Sequence, residues 1–146
     1  MQLSDIFRQD LIKLDLESKA KDEAFKELVE TIVKVHPKFN PREMFDAVIS
    51  RENRLNTAIL PGIAVPHGYC QVIDGIIGAI GFSRTGIEYG SLEPVHTIFM
   101  LLMDVSSREY HLRVLSRLLE MLNSKSFAVI PAAESPQEVY DMLYCF

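Results

Sequence analysis

The sequence predicts a single α/β domain, a three-layer sandwich in which a mixed β-sheet of about five strands is flanked by helices on both faces. Helical periodicity in the first and last thirds of the chain surrounds a middle third where all seven glycines punctuate short β-prone segments. Two of these segments are almost unbroken apolar runs, which is typical of interior strands covered on both faces. The 146 residues, 48% of them hydrophobic, are enough for one compact domain with its own core.

The first third of the chain predicts a short strand and then an amphipathic helix. Residues 10–16 alternate between apolar and polar side chains, after a helical turn at residues 3–7. Over residues 19–35 apolar side chains recur at helical spacing, and Ser18 is available to cap the start of that helix. These two patterns begin the succession of strand and helix that an α/β fold requires.

Three further helices are predicted from capping patterns at their first residues. An Asn-Pro pair at residues 40–41 starts a helix that continues to Asn53. An S-x-x-E capping box at residues 106–109 precedes leucines at helical spacing as far as Leu122. A Ser-Pro pair at residues 135–136 starts a last helix. Helices therefore follow the β-prone part of the chain as well as precede it.

The middle third predicts three strands, at residues 62–65, 76–83 and 97–104. The last two are the nearly continuous apolar runs and belong in the interior of the sheet. A further short apolar segment follows at residues 127–130, before the last helix. No repeat, low-complexity tract or linker interrupts this order, so one domain accounts for the chain.

Charge and hydropathy exclude several classes of protein. The chain has 15 Lys and Arg against 20 Asp and Glu, a formal charge of −5, which is the opposite of a nucleic-acid-binding footprint. The longest apolar stretches fall well short of the roughly 18 residues that a membrane-spanning helix needs. The first residues lack the features of a secretory signal, so we expect a cytoplasmic protein in which Cys70 and Cys145 are reduced thiols.

His67 is the most informative of the four histidines. It lies between Pro66 and Gly68, just after the end of a predicted strand. Ligands commonly bind at the strand ends of open α/β sheets. By local chemistry alone, this Pro-His-Gly segment is either a plain turn or an imidazole presented to a partner. His36, at a helix C-terminus, and His96, at the start of a strand, are more simply interpreted as structural residues.

A second histidine and an arginine add chemistry that suits phosphate. His111 lies in the first turn of the helix predicted after residue 106, where the positive end of the helix dipole attracts anions. Arg51 and Arg54 lie upstream of the Pro-His-Gly segment, beside Glu52, and a guanidinium can bond two phosphate oxygens. The alternatives are a solvated helix residue for His111 and surface charge pairing for the arginines.

A metal site is a weaker interpretation, which would use two of these histidines together with other residues. His67, Cys70, His96 and His111 are possible ligands, but only the His67-x-x-Cys70 pair is close in sequence. We expect no metal and no organic cofactor.

The segment at residues 51–68 ends in Gly-Ile-Ala-Val-Pro-His-Gly and begins with an Arg-Glu pair. It resembles the active-site region of enzyme IIA domains of the mannitol/fructose class of the bacterial sugar phosphotransferase system, including the nitrogen-regulatory branch. Residues 85–90, the strand at 95–103 and the His-Leu-Arg-Val-Leu at 111–115 resemble later landmarks in the same order. The resemblance implies one enzyme IIA domain over residues 1–146.

The resemblance also implies roles for particular residues. His67 corresponds to the phosphorylated histidine, His111 to the second active-site histidine, and Arg51 to the arginine that stabilises the phosphoryl group. Leu55, Ala58 and Leu60 stand where the family usually has glycines, and their side chains restrict positive φ and close backbone approach.

The implied activity is that of a phosphohistidine carrier, a protein-to-protein phosphotransferase. HPr is the expected phosphoryl donor, and the IIB domain of a mannitol- or fructose-type transporter is the expected acceptor. The alternative is a nitrogen-type regulator whose phosphorylation state gates binding to target proteins, and the absence of an attached transporter domain favours that branch. Val65, Tyr69 and Ile73 are expected to form an apolar docking surface beside the site.

Overall fold

A six-stranded mixed sheet organises the structure, a computed structural model in which residues 2–106 and 108–146 are described. The strands are β1 (Phe7–Lys13), β2 (Ala58–Leu60), β3 (Ile63–Ala64), β4 (His67–Tyr69), β5 (Ile76–Ile87) and β6 (Val95–Met103). The helices are α1 (Leu3–Ile6), α2 (Lys21–Val35), α3 (Pro41–Glu52), α4 (Arg108–Asn123), α5 (Val129–Ala132) and α6 (Pro136–Leu143), with a 3-10 turn at Ser126–Ala128.

β6 is the central strand that positions the site. The strand order is β1-β5-β6-β3-β2, and β4 pairs with β6 as well. β5 is antiparallel to β6, whereas β3 and β4 run parallel to it, with Ile63 opposite Thr97 and His67 opposite Leu101. The chain from β3 to β4 therefore follows one edge of β6 and delivers His67 near the carboxyl end of that strand.

The alternation of β6 side chains divides the core between two helical layers. Ile98, Met100 and Leu102 lie in a core cluster that includes buried residues of α2 and α3. Phe99, Leu101 and Met103 lie in a second cluster with residues of α1, α4 and α6. Because successive strand residues point to opposite faces, both faces of the sheet are covered by helices. This confirms the predicted three-layer α/β fold.

The largest differences from the predicted elements lie at strands. The helical turn at the start ends at Ile6, and the first strand begins at Phe7, earlier than the alternation at residues 10–16 indicated. β2 and β4 were not predicted, because strands of three residues are too short to show a period. The segment at residues 127–130 belongs to the 3-10 turn and α5.

The capping predictions have mixed outcomes. Asn40 caps α3, since its Oδ1 accepts hydrogen bonds from the backbone N–H groups of Arg42 and Glu43 at 2.9 and 3.3 Å. Ser18 does not cap α2, which begins after Ala20, because the Ser18 hydroxyl donates to Glu27 Oε1 at 2.6 Å. The box predicted at residues 106–109 includes residue 107, which lies outside the described residues.

None of the helices in the described part of the chain combines the length and the apolar character that crossing a bilayer requires.

Candidate active site

His67 is the first residue of β4, and its ring is half-buried. The ring Nδ1 lies 3.0 Å from the backbone oxygen of Val65. Because a carbonyl oxygen only accepts hydrogen bonds, Nδ1 carries the proton and donates it. The other ring nitrogen, Nε2, then bears a lone pair in the neutral ring, so this hydrogen bond selects the tautomer and aims the nucleophilic atom.

Electrostatics keep this imidazole neutral. Burial lowers the pKa of His67 below its usual value of 6.5, and the positive charge of Arg51 lowers it further. The hydrogen bond to Val65 and the negative charge of Glu52 oppose these effects without reversing them. The group at the strand end is therefore a free base at neutral pH, as a nitrogen nucleophile must be.

Arg51 lies in the last turn of α3, and its Nη1 donates to the backbone oxygen of Leu55 at 2.8 Å. Close packing between α3 and β4 brings this arginine near His67. A Cβ on Gly68 would lie 2.7 Å from the carbonyl carbon of Ala47 and 2.9 Å from the backbone nitrogen of Val48. Only glycine permits so close an approach, so Gly68 sets the distance between the helix and the strand.

His111 is deeply buried in the first turns of α4, with 2% of its surface exposed. The predicted alternative of a solvated helix residue is therefore wrong. Its ring packs against Tyr69 with centroids 5.6 Å apart and a tilt of 45°. Neither ring nitrogen has a hydrogen-bond partner among the described residues, although Nε2 lies 3.4 Å from Asp104 Oδ1. Buried polar nitrogens without such a partner suit a site that receives a polar ligand.

His67 and His111 lie on one face of the sheet. His67 and Tyr69 are paired with Leu101 and Met103, whose side chains both point toward the α4 layer. Since Tyr69 contacts the ring of His111, β4 joins the two histidines on that face. Tyr69 thus links the strand that carries His67 to His111, while the positive charge of Arg51, at the end of α3, acts on His67.

Sequence reasoning missed Asp104, which follows β6 and approaches His111. Its carboxylate also accepts hydrogen bonds from the backbone N–H groups of Gly75 at 2.8 Å and Ser106 at 3.1 Å. No motif marks Asp104, because only the pairing of β6 with β4 and β5 places the end of that strand beside α4. The contact of Tyr69 with His111 was missed for the same reason.

The three residues that replace the family's glycines have ordinary backbone conformations. Lys125 is the only non-glycine residue with positive φ in the described ranges, so Leu55, Ala58 and Leu60 are unstrained. Ala58 and Leu60 belong to β2 and pair with Ala64 and Ile63 of β3. Ala58 and Leu60 therefore lie in a short hairpin, and none of the three positions has the positive φ that would favour glycine.

The predicted apolar docking surface is wrong for two of its three members. Val65 and Ile73 are core residues, with 5% and 3% of their surface exposed. Tyr69 is about half exposed, at 49%, and borders His111. Of the apolar residues named from the sequence, Tyr69 alone is available to a partner.

The alternative metal site receives no support. His96 Nδ1 lies 2.8 Å from the backbone oxygen of Ser83. Burial, with a contribution from Glu43, raises the pKa of the Cys70 thiol to about 11, which disfavours the thiolate that binds metals. Within residues 2–106 and 108–146, no three His, Cys, Asp or Glu side chains are close enough to hold one ion.

The three-layer α/β fold, with His67 at a strand end, agrees with the resemblance to enzyme IIA domains that the sequence indicated. The chain belongs to the family described as "Phosphoenolpyruvate-dependent sugar phosphotransferase system, EIIA 2", whose model matches residues 5–145. This shows the family that the Gly-Ile-Ala-Val-Pro-His motif indicated.

Relatives of the chain come from both branches of that family. The chain is 31% identical, over 98% of its length, to a "PTS system fructose-specific EIIABC component" of Bacillus subtilis, of which it spans only 23%. It is 27% identical to a "Nitrogen regulatory protein" of Bradyrhizobium diazoefficiens, with 98% of this chain and 95% of that protein covered.

Solved structures of the family share the fold. The crystal structure of the nitrogen regulatory protein IIA-Ntr from Neisseria meningitidis superposes with a TM-score of 0.87 at 25% identity, over 97% of this chain and 98% of that one. The IIA mannitol protein of Escherichia coli superposes with a TM-score of 0.72 at 22% identity, over 92% and 96% of the two chains. The fold alone is inferred from the second likeness.

Proposed function

We propose that this chain is a cytoplasmic phosphocarrier that accepts a phosphoryl group from phospho-HPr on Nε2 of His67. It then passes the group to the IIB domain of a mannitol- or fructose-type transporter. The observation that carries the proposal is the hydrogen bond of 3.0 Å between His67 Nδ1 and the Val65 carbonyl. That bond leaves the lone pair on Nε2 and holds the ring at the strand end.

The transfer exchanges one nitrogen–phosphorus bond for another. The Nε2 lone pair of His67 attacks the phosphorus in line while the bond to the donor imidazole breaks, and the leaving ring keeps that electron pair. His67 retains its Nδ1 proton throughout, so no proton has to move in the transfer itself. Since both N–P bonds are phosphoramidates, the step is close to thermoneutral and reversible, as a carrier requires.

Arg51 and His111 have the chemistry to stabilise the transferring group. Arg51 supplies a permanent positive charge near His67, and its guanidinium can bond phosphoryl oxygens. His111 offers two buried ring nitrogens without hydrogen-bond partners among the described residues, so its ring can donate to an oxygen of the group. In this mechanism Arg51 and His111 bind the oxygens of the phosphoryl group, and Nε2 of His67 attacks its phosphorus atom.

Reconstitution of the phosphate relay tests this function. The purified chain, incubated with phosphoenolpyruvate, enzyme I and HPr, should gain one acid-labile phosphoryl group by intact-mass measurement. Peptide mapping under alkaline conditions should locate it on His67. The control reaction omits HPr and should leave the chain unmodified. Phosphorylation without HPr, or at another residue, would contradict the proposal.

A regulatory role is the second candidate, because the match to a nitrogen regulatory protein spans 95% of that relative. The two functions differ in what happens after His67 is phosphorylated. A carrier should transfer labelled phosphate to a purified fructose-type IIB domain. A regulator should retain it and bind a target in only one phosphorylation state. Phosphate retention, together with a binding partner that distinguishes the two states, would favour the regulator.

The depressed pKa of His67 predicts a pH dependence of stability. Its NMR titration should have a midpoint below the usual 6.5. Because the unfolded chain then binds the proton more strongly, the free energy of unfolding should fall as the pH drops from 6.5 through the folded-state pKa. A His67→Gln variant, followed by urea denaturation over the same pH range, should lack this part of the decrease. A midpoint above 6.5 would contradict the prediction.

A further inference from the structure

Behind the candidate site lies a buried carboxylate that the assigned roles leave unexplained. The side chain of Glu52 is only 1% exposed. Its Oε1 is 3.2 Å from Lys21 Nζ and accepts the backbone N–H of Thr57 at 3.1 Å. Its Oε2 accepts the Thr57 hydroxyl at 2.7 Å. The carboxylate thus accepts three hydrogen bonds, one of them from a cation.

The direction of each hydrogen bond follows from proton counting. The Thr57 hydroxyl has one proton and donates it to Glu52, so the Tyr89 hydroxyl, 2.8 Å away, donates to Thr57. Burial raises the pKa of Tyr89, which keeps that proton in place. Lys21 Nζ also lies 4.4 Å from the centroid of the Tyr89 ring. Glu52 is therefore the last acceptor in this chain of hydrogen bonds, and the Lys21 ammonium lies beside it.

Hydrogen bonds continue from this cluster to His67. Glu52 holds Thr57 by accepting hydrogen bonds from its backbone N–H and its hydroxyl. The backbone oxygen of Thr57 accepts a hydrogen bond from the N–H of Val65 at 3.0 Å. The oxygen of Val65 in turn accepts the Nδ1 proton of His67 at 3.0 Å. The peptide that orients the imidazole is thus held in place by Thr57.

The same cluster fixes the loop that leads away from Arg51. Glu52 directly follows Arg51 in α3 and, by bonding Thr57, closes residues 53–56 into a short loop. Arg51 donates across that loop to the oxygen of Leu55 at 2.8 Å. A shift of Glu52 or Thr57 would therefore displace Arg51 and His67 together.

We propose that Lys21 and Glu52 are positioning residues, a partly buried ion pair that orients the imidazole of His67 through Thr57 and Val65. The proposal rests on the phosphocarrier function for its kinetic consequence, but its structural consequence is independent of that function. Lys21, the first residue of α2, lies outside the segment that resembles the family's active-site region. Its contribution follows only from the contact between α2 and the end of α3.

Two variants test the pair. Glu52→Gln replaces one carboxylate oxygen by an amide N–H₂, which cannot accept a proton from Thr57. Lys21→Met keeps the length of the stem but leaves the carboxylate without its cation. In both, the rate at saturating phospho-HPr should fall about ten- to a hundredfold, because small displacements of reacting groups cost that much. KM should remain within about twofold of the wild type, since Glu52 is 1% exposed and Lys21 22% exposed, so neither side chain offers a partner much surface.

A second readout separates positioning from a loss of stability. In ¹⁵N NMR spectra at neutral pH, the wild-type His67 ring should populate one tautomer, with the proton on Nδ1. Both variants should show a mixture of tautomers in the folded protein. Lys21→Arg, which preserves the cation, should restore the single tautomer and most of the rate.

Glu27 provides a matched control on the same helix as Lys21. Its carboxylate also pairs with a lysine, Lys13, at 3.1 Å and accepts backbone N–H groups, but those belong to Glu17 and Ser18. Glu27→Gln should leave the His67 tautomer and the transfer rate unchanged.

The outcomes are distinguishable from failure of the proposed function. If the wild type takes no phosphoryl group, the carrier function fails and the tautomer measurement still tests the pair. If Glu52→Gln and Lys21→Met fold and their His67 rings keep the wild-type tautomer, the positioning role is overturned. If Glu52→Gln does not fold, Lys21→Met decides alone, because its side chain is 22% exposed and its removal disturbs the core less.

Discussion

Phosphorylation by the reconstituted relay is expected to disappear when His67 is replaced by glutamine. Glutamine keeps a polar side chain of similar size at this half-buried position, so the fold should be retained. The lone pair of its amide nitrogen is delocalised into the carbonyl and cannot attack phosphorus, whereas the Nε2 lone pair of His67 is available. Intact-mass measurement after incubation with phosphoenolpyruvate, enzyme I and HPr should show the unmodified chain only.

His96 supplies the matched control for this experiment. It is also half-buried, and its Nδ1 lies 2.8 Å from a backbone oxygen, that of Ser83. It lies near the amino end of β6, whereas His67 is paired near the carboxyl end. His96→Gln should therefore be phosphorylated like the wild type. Retention of an acid-labile phosphoryl group by His67→Gln would show that another residue is the acceptor.

Gly68→Ala is expected to damage stability and the site at once. The added Cβ would lie 2.7 to 2.9 Å from backbone atoms of Ala47 and Val48, which cannot move aside without shifting α3. Gly68 is not among the positive-φ glycines, so the cost comes from crowding alone. We expect a loss of about 1–3 kcal/mol in the free energy of unfolding, measured by urea denaturation. Phosphorylation of the folded fraction should also slow, because α3 carries Arg51.

Gly81→Ala separates these two effects. Its Cβ would meet flexible side-chain atoms of Leu16 at 2.6 Å and Leu28 at 3.0 Å, in the interior of β5 and away from His67. This variant should lose stability, while its folded fraction is phosphorylated at the wild-type rate. Equal rates for Gly68→Ala and Gly81→Ala, after correction for the folded fraction, would contradict the proposed dependence on the spacing of α3 and β4.

Much of the fold was predictable because its elements carry strong local patterns. The helix at residues 41–53 was predicted within one residue of α3, since the Asn-Pro pair marks its start and Asn40 caps it. The apolar runs at residues 76–83 and 97–104 correctly indicated the interior strands. Strands β2 and β4 escaped prediction because each has only three residues, too few to show a period. They are defined by hydrogen bonds to other strands, β2 to the adjacent β3 and β4 to the distant β6.

Some residues of the candidate site were predictable from the sequence, whereas their contacts were not. His67 stands out in the sequence because Pro66 and Gly68 flank it, and the predicted helix start drew attention to His111. The family resemblance then selected Arg51 from the two arginines upstream. The sequence did not indicate that His111 is buried against Tyr69 or that Asp104 approaches it. Those contacts join residues from three elements that are adjacent only after the sheet has formed.

Residue types and their spacing were sufficient to predict the α/β class, and the motif that ends at His67 carried the resemblance that indicated the family and implied His67 as the candidate phosphorylated histidine. Folding alone settled which nitrogen of His67 is free and how closely α3 approaches β4. It also determined that Lys21 balances the charge of Glu52. The physical reason is the distance along the chain over which each effect acts. Periodicity and capping involve residues only a few positions apart, whereas the choice of tautomer, close packing and charge compensation depend on partners from distant parts of the chain.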